Sequence, residues 1–321
     1  MTDASTLHDR YVQGPFDLTD CVDLHVHSAP CLFPRLGDDL DMARRARDAG
    51  MRAIALKSHH ENTVSRAYHA QTAVPGLQVI GGVTLNQCVG GVNPAAVEAA
   101  FMLGGRIVWG PTGHACYHGT ITGEFGKWGV PGMVLPGSER GGVTVLGADG
   151  RLTPEILDIL DLVKQYDALF CTAHLSPEEI SLIVDRCAQI GARVLVNHIY
   201  YFPRVDIDYA EDITRRGASI ELCSTLLIPS RHRKELRYDY ELMAETIKRV
   251  GAARCVMSTD GGGMISGLFP DEQFRMFGQR LQGYDVPLAD IYRMMRDNPT
   301  ELAALGQDRS PLGPRARGEA A

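Results

Sequence analysis

Short apolar runs rich in β-branched residues alternate along this chain with segments that carry helix signals. Runs of this length, bounded by glycine, proline and polar residues, are typical of buried strands. Eight runs stand out: Cys21–His27, Ala53–Lys57, Gln78–Leu85, Arg106–Pro111, Ala168–His174, Arg193–His198, Ala218–Cys223 and Arg254–Asp260. Eight strands separated by helices predict a parallel α/β fold, and 321 residues suit a closed (β/α)8 TIM-like barrel. An open doubly wound sheet is the alternative, but the glycine fingerprint that usually follows its first strand is missing.

Helix boundaries are marked between several of these runs. Asn93-Pro94 and Thr153-Pro154 each place a capping residue before a proline at the first helical position. Ser176-Pro177-Glu178-Glu179 has the pattern of a capping box. These signals predict helices in the connections that a barrel needs.

Two regions interrupt the alternation. Residues 111–152 form a long insertion after the fourth run, rich in glycine, proline and aromatic residues, and loops of this length are often functional lids. Within it, Val143–Leu146 followed by Asp149-Gly150 predicts a small hairpin. Residues 307–321 are rich in proline, glycine and arginine, which predicts a disordered tail. The expected organisation is a single barrel domain over residues 1–306 with a lid-like insertion.

Composition argues against nucleic acid and membranes as partners of this chain. The formal net charge is −7, so the chain has no basic field for nucleic acid and no polybasic patch for a membrane. No apolar run approaches the length of a membrane span, and the N-terminus is polar. The eight cysteines are scattered without a CxxC pair, which predicts free thiols in a reducing compartment. We therefore expect a cytoplasmic protein that acts on a small molecule; a homo-oligomer is compatible with the sequence.

Side chains with metal-ligand chemistry stand where the predicted strands end. His25 and His27 are two residues apart in a strand, so both project to the same side, and two such imidazoles can hold one metal ion, with zinc the default. Because the carboxyl ends of parallel strands open on one face of a barrel, separate strand ends are expected to converge there. The other strand-end residues of this kind are Lys57, His59, His60, His174, His198 and Asp260.

Three residues are predicted to contact a substrate: Arg35, His60 and His114. Arg35 follows the His-Val-His loop, where a guanidinium can anchor a carboxylate or phosphate, and Arg231–Lys234 is a second basic group of this kind. His60 adjoins His59, and only one of the two can point inward. His114 lies in the insertion, whose aromatic residues would suit a lid over a small apolar or aromatic substrate: Tyr117, Phe125 and Trp128.

At these positions the chain resembles the amidohydrolase superfamily of metal-dependent hydrolases. The resemblance covers about residues 20–306 and looks closest to an uncharacterised branch of the superfamily. The matching residues are His25-Val26-His27, His174, His198, Asp260 and Asn298–Gly306, the last similar to the "NPA-x-LLG" helix near the end of such enzymes. The resemblance implies a TIM-barrel hydrolase in which Asp260 moves a proton and His198 ligates a second metal or stabilises an oxyanion. Candidates for orienting the imidazoles are the Asp23 backbone, Asn197 and Glu221.

One departure from that superfamily leaves the metal count open. Its binuclear members carry a lysine or glutamate at the end of the fourth strand, where Val108–Gly113 has neither. A mononuclear site would use His25, His27, His174 and Asp260 as ligands. A binuclear site would add a carboxylated Lys57 as the bridge, with His198 and His59 as further candidate ligands. The expected cofactor is one or two divalent ions, zinc first, with manganese or iron compatible.

A second resemblance supplies an alternative. Asp23–Ser28 and Ala53–His59 are similar to the first two motifs of the polymerase-and-histidinol-phosphatase phosphoesterases. However, Ser58 stands where that family has aspartate, and Asp260-Gly261-Gly262 lacks its closing histidine. The favoured function is hydrolysis of an amide, cyclic amide or lactone bond in a small metabolite. A phosphoesterase, and a non-hydrolytic decarboxylase or isomerase on the same metal frame, are the alternatives.

Overall fold

The computed structural model describes residues 15–128, 133–202, 204–229, 239–264 and 266–306. The predicted tail at 307–321 and the basic group Arg231–Lys234 lie outside these residues. All of the strands fall within the predicted runs: β1 Val22–Val26, β2 Ala53–Leu56, β3 Gln78–Ile80, β4 Gly82–Thr84, β5 Ile107–Trp109, β6 Leu169–Cys171, β7 Arg193–Val196, β8 Ser219–Cys223 and β9 Cys255–Ser258.

Helices occupy the connections between the strands. They are α1 Asp39–Asp48, α2 Val64–Ala73, α3 Pro94–Met102, α4 Cys116–Thr122, α5 Pro154–Gln165, α6 Pro177–Ile190, α7 Ile207–Arg215, α8 Tyr240–Val250, α9 Pro270–Gln282, α10 Leu288–Tyr292 and α11 Asn298–Leu302, with a π-helical turn at Arg293–Asp297. The predicted capping box is confirmed, because the Ser176 side chain accepts from the Glu179 N–H and the Glu179 carboxylate accepts from the Ser176 N–H. Asn93 caps α3 through its side chain, whereas Thr153 makes no side-chain cap at α5.

All paired strands are parallel and follow chain order, with β1 to β3 in one sheet and β4 to β9 in the other. The third predicted run therefore consists of two strands, separated at Gly81. A Cβ atom at Gly81 would lie 2.5 Å from the Val64 Cα, so only glycine allows the start of α2 to pack this closely. Predicting one continuous strand there was wrong, because the ladder breaks at Gly81: β3 pairs with β2, and β4 pairs with β5.

The first and last strands lie side by side. Val26 forms a parallel bridge with Gly261, just beyond β9, and the His27 N–H donates to the Gly261 carbonyl over 2.9 Å. Among the described residues this contact is a single bridge rather than a continuous ladder. The order of the strands and this contact agree with the predicted (β/α)8 architecture.

Two apolar clusters divide the core. The inner one joins strand residues from the first to the last strand and is closed at one end by the α11 region: Val22, Leu24, Ala53, Ala55, Ile80, Ile107, Trp109, Leu169, Cys171, Ala173, Leu195, Val256 and Ala303. The outer one lies between the strands and the helices around them. An interior filled by side chains from successive strands, within a helical layer, is the expected packing of this barrel class.

A bulge in β1 sets the direction of its histidines. From Asp23 to Val26 the strand advances three residues while β2 advances two, so β1 carries one extra residue here. Leu24 belongs to the inner cluster and Val26 to the outer one, although simple alternation would place both on the same face. The bulge therefore reverses the alternation after Leu24 and turns His25 and His27 toward the barrel interior.

The insertion contains α4 and, after this helix, a short hairpin. Leu146 pairs with Leu152 in an antiparallel bridge, and the Gly147 N–H donates to the Arg151 carbonyl across the Asp149-Gly150 turn. The hairpin predicted from these residues is therefore confirmed. Residues 129–132 of the insertion lie outside the described residues.

The cysteines of the structure are free, and the helices that it describes are not suited to crossing a membrane. None of the eight cysteines forms a disulfide, and Cys21, Cys171, Cys187, Cys223 and Cys255 are buried. The prediction of free thiols is confirmed. In the described part of the chain, every helix is too short or too polar to cross a bilayer.

Asp23 ties the beginning of the barrel to its end. Its Oδ1 accepts from the Thr259 N–H and the His25 N–H, each over 3.1 Å, and its Oδ2 accepts from the Thr259 hydroxyl over 2.5 Å. The carboxyl is fully buried. Burial raises its pKa to about 7, although the hydrogen bonds from Thr259 and His25 oppose that rise.

Replacing Asp23 with alanine is expected to lower the free energy of unfolding by about 2–4 kcal/mol, because two buried N–H groups and a hydroxyl lose their acceptor. Denaturant titration followed by circular dichroism measures the change. Asp158→Ala, exposed on α5, is the control and should change stability by less than about 0.5 kcal/mol. Equal losses in the two variants would contradict the structural role of Asp23.

Candidate metal centre

Three predicted ligands meet at the carboxyl end of the barrel. The Asp260 Oδ1 lies 3.0 Å from the His25 Nε2 and 3.1 Å from the His27 Nε2. One ligand atom from each residue lies within 4.8 Å of the other two, a spacing that a single metal ion can bridge. The two histidines are buried, while the Asp260 side chain is 18% exposed, so the cluster opens to solvent on the carboxylate side.

The remote nitrogen of each imidazole is held by an acceptor. The His27 Nδ1 lies 2.9 Å from the Lys57 carbonyl oxygen, which can only accept, so this nitrogen donates. The His25 Nδ1 lies 3.2 Å from both carboxylate oxygens of Glu221. These partners assign a proton to Nδ1 in both rings and direct each Nε2 at Asp260, where a neutral ring can ligate a metal through this nitrogen. Histidine ligands of protein metal sites are oriented in this manner.

Glu221, on β8, gathers three donors from the ends of two other strands, β1 and β7. Besides His25, its Oε2 accepts from the Asn197 side-chain amide over 2.9 Å and from the His198 N–H over 3.0 Å. Burial would raise the pKa of Glu221, but His25, His198 and Asn197 hold it well below its usual range. The carboxylate is therefore ionised, and it accepts every hydrogen bond described for it.

Three strand ends adopt a left-handed backbone. Ala173, His198 and Asp260 have φ values of 49°, 31° and 49°, a region that residues other than glycine rarely occupy. Ala173 immediately precedes the predicted ligand His174, so each of the three turns re-aims a candidate site residue. Strain of this kind persists where the surroundings impose it, and it clusters at functional sites.

His174 and His198 lie next to the three-ligand cluster. The His198 ring centroid is 5.8 Å from that of His25 and 5.1 Å from that of His174. The His174 Nδ1 lies 2.9 Å from the His118 Nδ1, on helix α4 of the insertion. Burial lowers the pKa of both His174 and His118, so both rings are neutral near pH 7.

Lys57 reaches the same place from β2. Its Nζ lies 3.0 Å from the His25 Nε2 and 5.8 Å from the centroid of the Trp109 ring. The side chain is buried, and burial lowers the pKa of the ammonium even though Asp260 and Glu221 oppose that effect. A lysine whose charged form is disfavoured meets the condition for a neutral or carboxylated group beside a metal.

Only one of the adjacent histidines, His59, points inward. Its ring stacks on that of His27 with centroids 4.7 Å apart, and its Nδ1 lies 3.0 Å from the Thr112 hydroxyl. His60 is half-buried, with its Nε2 3.6 Å from a Glu61 carboxylate oxygen. His59 therefore lines the centre, whereas the His60 ring faces the neighbouring Glu61 carboxylate.

The other two predicted substrate contacts have different surroundings. Arg35 is half-buried, with its Nε 3.1 Å from the Cys31 sulfur. Its Nη2 is buried and has no hydrogen-bond partner among the described residues. His114 is buried, and its Nε2 lies 3.4 Å from the Ser138 hydroxyl. Arg35 thus carries an unused donor, whereas His114 contacts the insertion itself.

The sequence assigns no role to Asn86. It favours a solvated His118 in the long insertion, and this was wrong because the ring is buried. The Asn86 amide donates to the His59 carbonyl over 2.8 Å and to the Thr112 hydroxyl over 2.7 Å, and its Oδ1 accepts from the Thr112 N–H. Asn86 follows the predicted third strand, so its position at a strand end was a usable signal. His118 lies in an insertion without strand periodicity, and no sequence pattern connects it with His174.

Opposing electrostatic effects tune the three-ligand cluster. Burial disfavours the charged form of His25, but Asp260 and Glu221 raise its pKa to about 9. Burial, with the help of the Arg35 charge, lowers the pKa of His27 to about 3. Although burial alone would raise it, the pKa of Asp260 is held well below its usual range by His25 and His27. The ionised carboxylate and the raised pKa of His25 therefore make the cluster a favourable place for a positive charge.

The donor set fits a divalent transition metal. Two imidazole nitrogens and a carboxylate oxygen are typical ligands of zinc and of manganese or iron. Each imidazole has its remote nitrogen oriented by a hydrogen-bond partner, and the carboxylate is ionised. Nothing in this set selects one of these metals over the others.

Comparison with known proteins places the chain in a family. The model of a family of unknown function, DUF6282, matches residues 20–221. The chain belongs to this family. No curated protein matches the DUF6282 chain at a significant level.

Solved structures share the fold of the DUF6282 chain. An amidohydrolase from Pseudomonas aeruginosa is 12% identical with a TM-score of 0.55, and the match covers 93% of this chain and 97% of that one. The probable dipeptidase PvdM from the same organism is 15% identical with a TM-score of 0.56, over 95% and 98% of the two chains. A 2,6-dihydroxybenzoate decarboxylase in complex with 2,6-dihydroxybenzoate is 13% identical with a TM-score of 0.52, over 89% and 100%. The predicted fold is confirmed, because these three proteins share it.

Glu221→Gln is expected to weaken zinc binding by about 10- to 100-fold, the usual effect of losing a partner that orients a ligand. Three donors converge on Glu221, and glutamine offers one oxygen, so its amide group would face a donor. Competition with a chromophoric chelator measures the affinity. Glu155→Gln, exposed on α5, is the control, and equal affinities in the two variants would disprove this role.

Metal binding is also expected to displace a proton from His25. Because its pKa is raised to about 9, the ring is protonated below that pH, and zinc must compete with the proton. Between pH 7 and 9 the apparent affinity should rise by about tenfold per pH unit and level off above the pKa. Calorimetry in buffers of different ionisation enthalpy counts the released proton. Lys57→Met should leave this release intact; its loss in that variant, or an affinity independent of pH, would contradict the assignment to His25.

Proposed function

We propose that this chain is a metal-dependent hydrolase that cleaves an amide, cyclic amide or lactone bond in a small metabolite. The observation that carries the proposal is the convergence of His25, His27 and Asp260, with each imidazole oriented by an acceptor on its remote nitrogen. A structural cluster has no need for two imidazoles whose Nε2 atoms are oriented at one ionised carboxylate oxygen. The same superfamily fold in an amidohydrolase and a probable dipeptidase supports this reading.

The proposed ligands are the three residues that meet in the structure, His25, His27 and Asp260, and His174 as a fourth. A bound divalent ion, zinc first, would supply an acidified water and polarise the scissile carbonyl. If a second ion binds, His198 and a carboxylated Lys57 are the ligands available for it, since the Lys57 Nζ lies 3.0 Å from the His25 Nε2. His59 lines the wall of the site by stacking on His27.

Asp260 is the proposed proton carrier. Its contacts with the Nε2 atoms of His25 and His27 both involve Oδ1, and the side chain is partly exposed. Oδ2 is therefore the oxygen available to take a proton from water and return it to the leaving group. The His198 ring, close to both His25 and His174, is the group available to stabilise negative charge on the carbonyl oxygen.

The surroundings of the site favour a small substrate with an anionic group. The Arg35 Nη2 is a buried donor without a hydrogen-bond partner among the described residues, and an unpaired donor of this kind is costly unless a ligand satisfies it. Phe33 and Trp128 pack edge to face with centroids 5.0 Å apart and planes at 67°, and Trp128 also contacts the His59 ring. This aromatic wall would hold the apolar part of a substrate and exclude water.

A decarboxylase is the second candidate. The similarity to a 2,6-dihydroxybenzoate decarboxylase favours it, and an unpaired arginine near the centre would suit a carboxylate substrate. Incubation with hydroxybenzoates, followed by measurement of released carbon dioxide, separates the two candidates. Hydrolysis of lactones or dipeptides without release of carbon dioxide would support the hydrolase.

Elemental analysis tests the metal site directly. We expect the wild-type protein, incubated with zinc or manganese, to retain one or two equivalents, and the His25→Asn, His27→Asn double variant to lose them. Hydrolysis of a panel of dipeptides, cyclic amides and lactones should fall to background in the same variant. One equivalent would support a mononuclear site, and two would bring Lys57 and His198 in as ligands.

The control is His69→Asn, because His69 is exposed on α2 and its ring packs against Tyr68. This variant should keep both the metal and the activity. A wild-type protein that retains neither zinc nor manganese after incubation would refute the proposed function.

A further inference from the structure

His118 is a fully buried histidine on the insertion helix α4. It lies outside the strands of the barrel, yet both of its ring nitrogens are engaged. One faces the His174 Nδ1 over 2.9 Å, and the other faces the Lys127 carbonyl over 2.7 Å. Such a side chain in an insertion requires an explanation.

The hydrogen bonds define the direction of donation. A carbonyl oxygen accepts only, so the His118 Nε2 carries a proton and donates to Lys127. The Nδ1 of the neutral ring is then an acceptor, and the hydrogen bond between the histidines runs from the His174 Nδ1–H to His118. The Nε2 of His174 is left without a proton, as a metal ligand must be.

The relative position of the two rings agrees with this assignment. Their planes lie within 14° of each other, and the centroids are 5.0 Å apart while the nitrogens are 2.9 Å apart. The rings therefore meet edge to edge, so the Nδ1–H of one points along the in-plane lone pair of the other.

The insertion itself holds His118 in place. After α4 the chain turns at Gly123, whose φ of 81° suits glycine, and returns to present the Lys127 carbonyl. A Cβ atom at Gly119 would lie 2.2 Å from the Phe125 ring, so the returning segment packs tightly against the helix. Trp128 covers the pair, with its ring centroid 5.2 Å from that of His118.

We infer that His118 is a positioning residue that fixes the tautomer and orientation of His174 for metal binding. The inference rests on the proposed metal centre, with His174 as a ligand. The insertion is then part of the metal centre as well as a cover for it. The acceptor for His174 comes from an insertion side chain, whereas His25 and His27 are held by groups on the barrel strands.

Two variants separate hydrogen bonding from packing. His118→Phe keeps an aromatic ring but removes the acceptor, and His118→Asn places an amide oxygen near the position of the Nδ1. We expect His118→Phe to weaken zinc binding by about 10- to 100-fold, measured by chelator competition, and His118→Asn to stay within a few-fold of wild type. His69→Phe, on the exposed face of α2, controls for a general effect of replacing a histidine.

The tautomer supplies a readout that does not depend on activity or on bound metal. Long-range ¹⁵N–¹H spectra of the wild-type protein should show His174 protonated at Nδ1, and His118→Phe should lose this single tautomer. An unchanged tautomer and affinity in His118→Phe would overturn the inference, as would an equal loss in His118→Asn with the fold intact. If wild-type protein binds no zinc, the proposed function fails, while the spectra still decide whether His118 sets the tautomer.

Discussion

The buried carboxylate of Glu221 is the constraint on which the rest of the centre depends. It accepts from the His25 ring, the Asn197 amide and the His198 N–H, so it ties the ends of three strands to one charge. A buried carboxylate is costly unless donors satisfy it, and this requirement fixes where those donors lie. That arrangement fixes the position of the His25 Nε2. The contact of this nitrogen with the Asp260 Oδ1 follows from it.

Backbone strain and hydrogen bonding act together at the same face. The left-handed turns at Ala173, His198 and Asp260 aim side chains that an ordinary strand would direct elsewhere. Asn197 illustrates the compensation, because its Oδ1 accepts from the Ala173 N–H while its amide donates to Glu221. Local strain is thus balanced by hydrogen bonds in a buried polar network, which also makes the network sensitive to single substitutions.

The insertion joins this network from outside the barrel. His118 contacts His174, and Trp128 contacts both His118 and His59, so the segment covers the predicted ligands and contacts them directly. Its packing depends on glycines that allow aromatic rings to approach the backbone, as at Gly119 and Gly113. The packing of the insertion and the positions of the His174 and His59 rings are therefore linked through side-chain contacts.

The sequence by itself determined the positions of the strands, the parallel α/β class and the residues at the strand ends, because apolar runs and helix caps are local signals. His25, His27, Asp260 and Lys57 were all recognisable in this way, since a parallel barrel gathers its strand ends on one face. Only the tertiary structure decided the break at Gly81, the bulge that turns His25 inward and the inward choice of His59 over His60. It also decided which nitrogen of each imidazole is free. These features depend on partners distant in sequence, such as Glu221 for His25 and His118 for His174, and no local pattern encodes such a pairing.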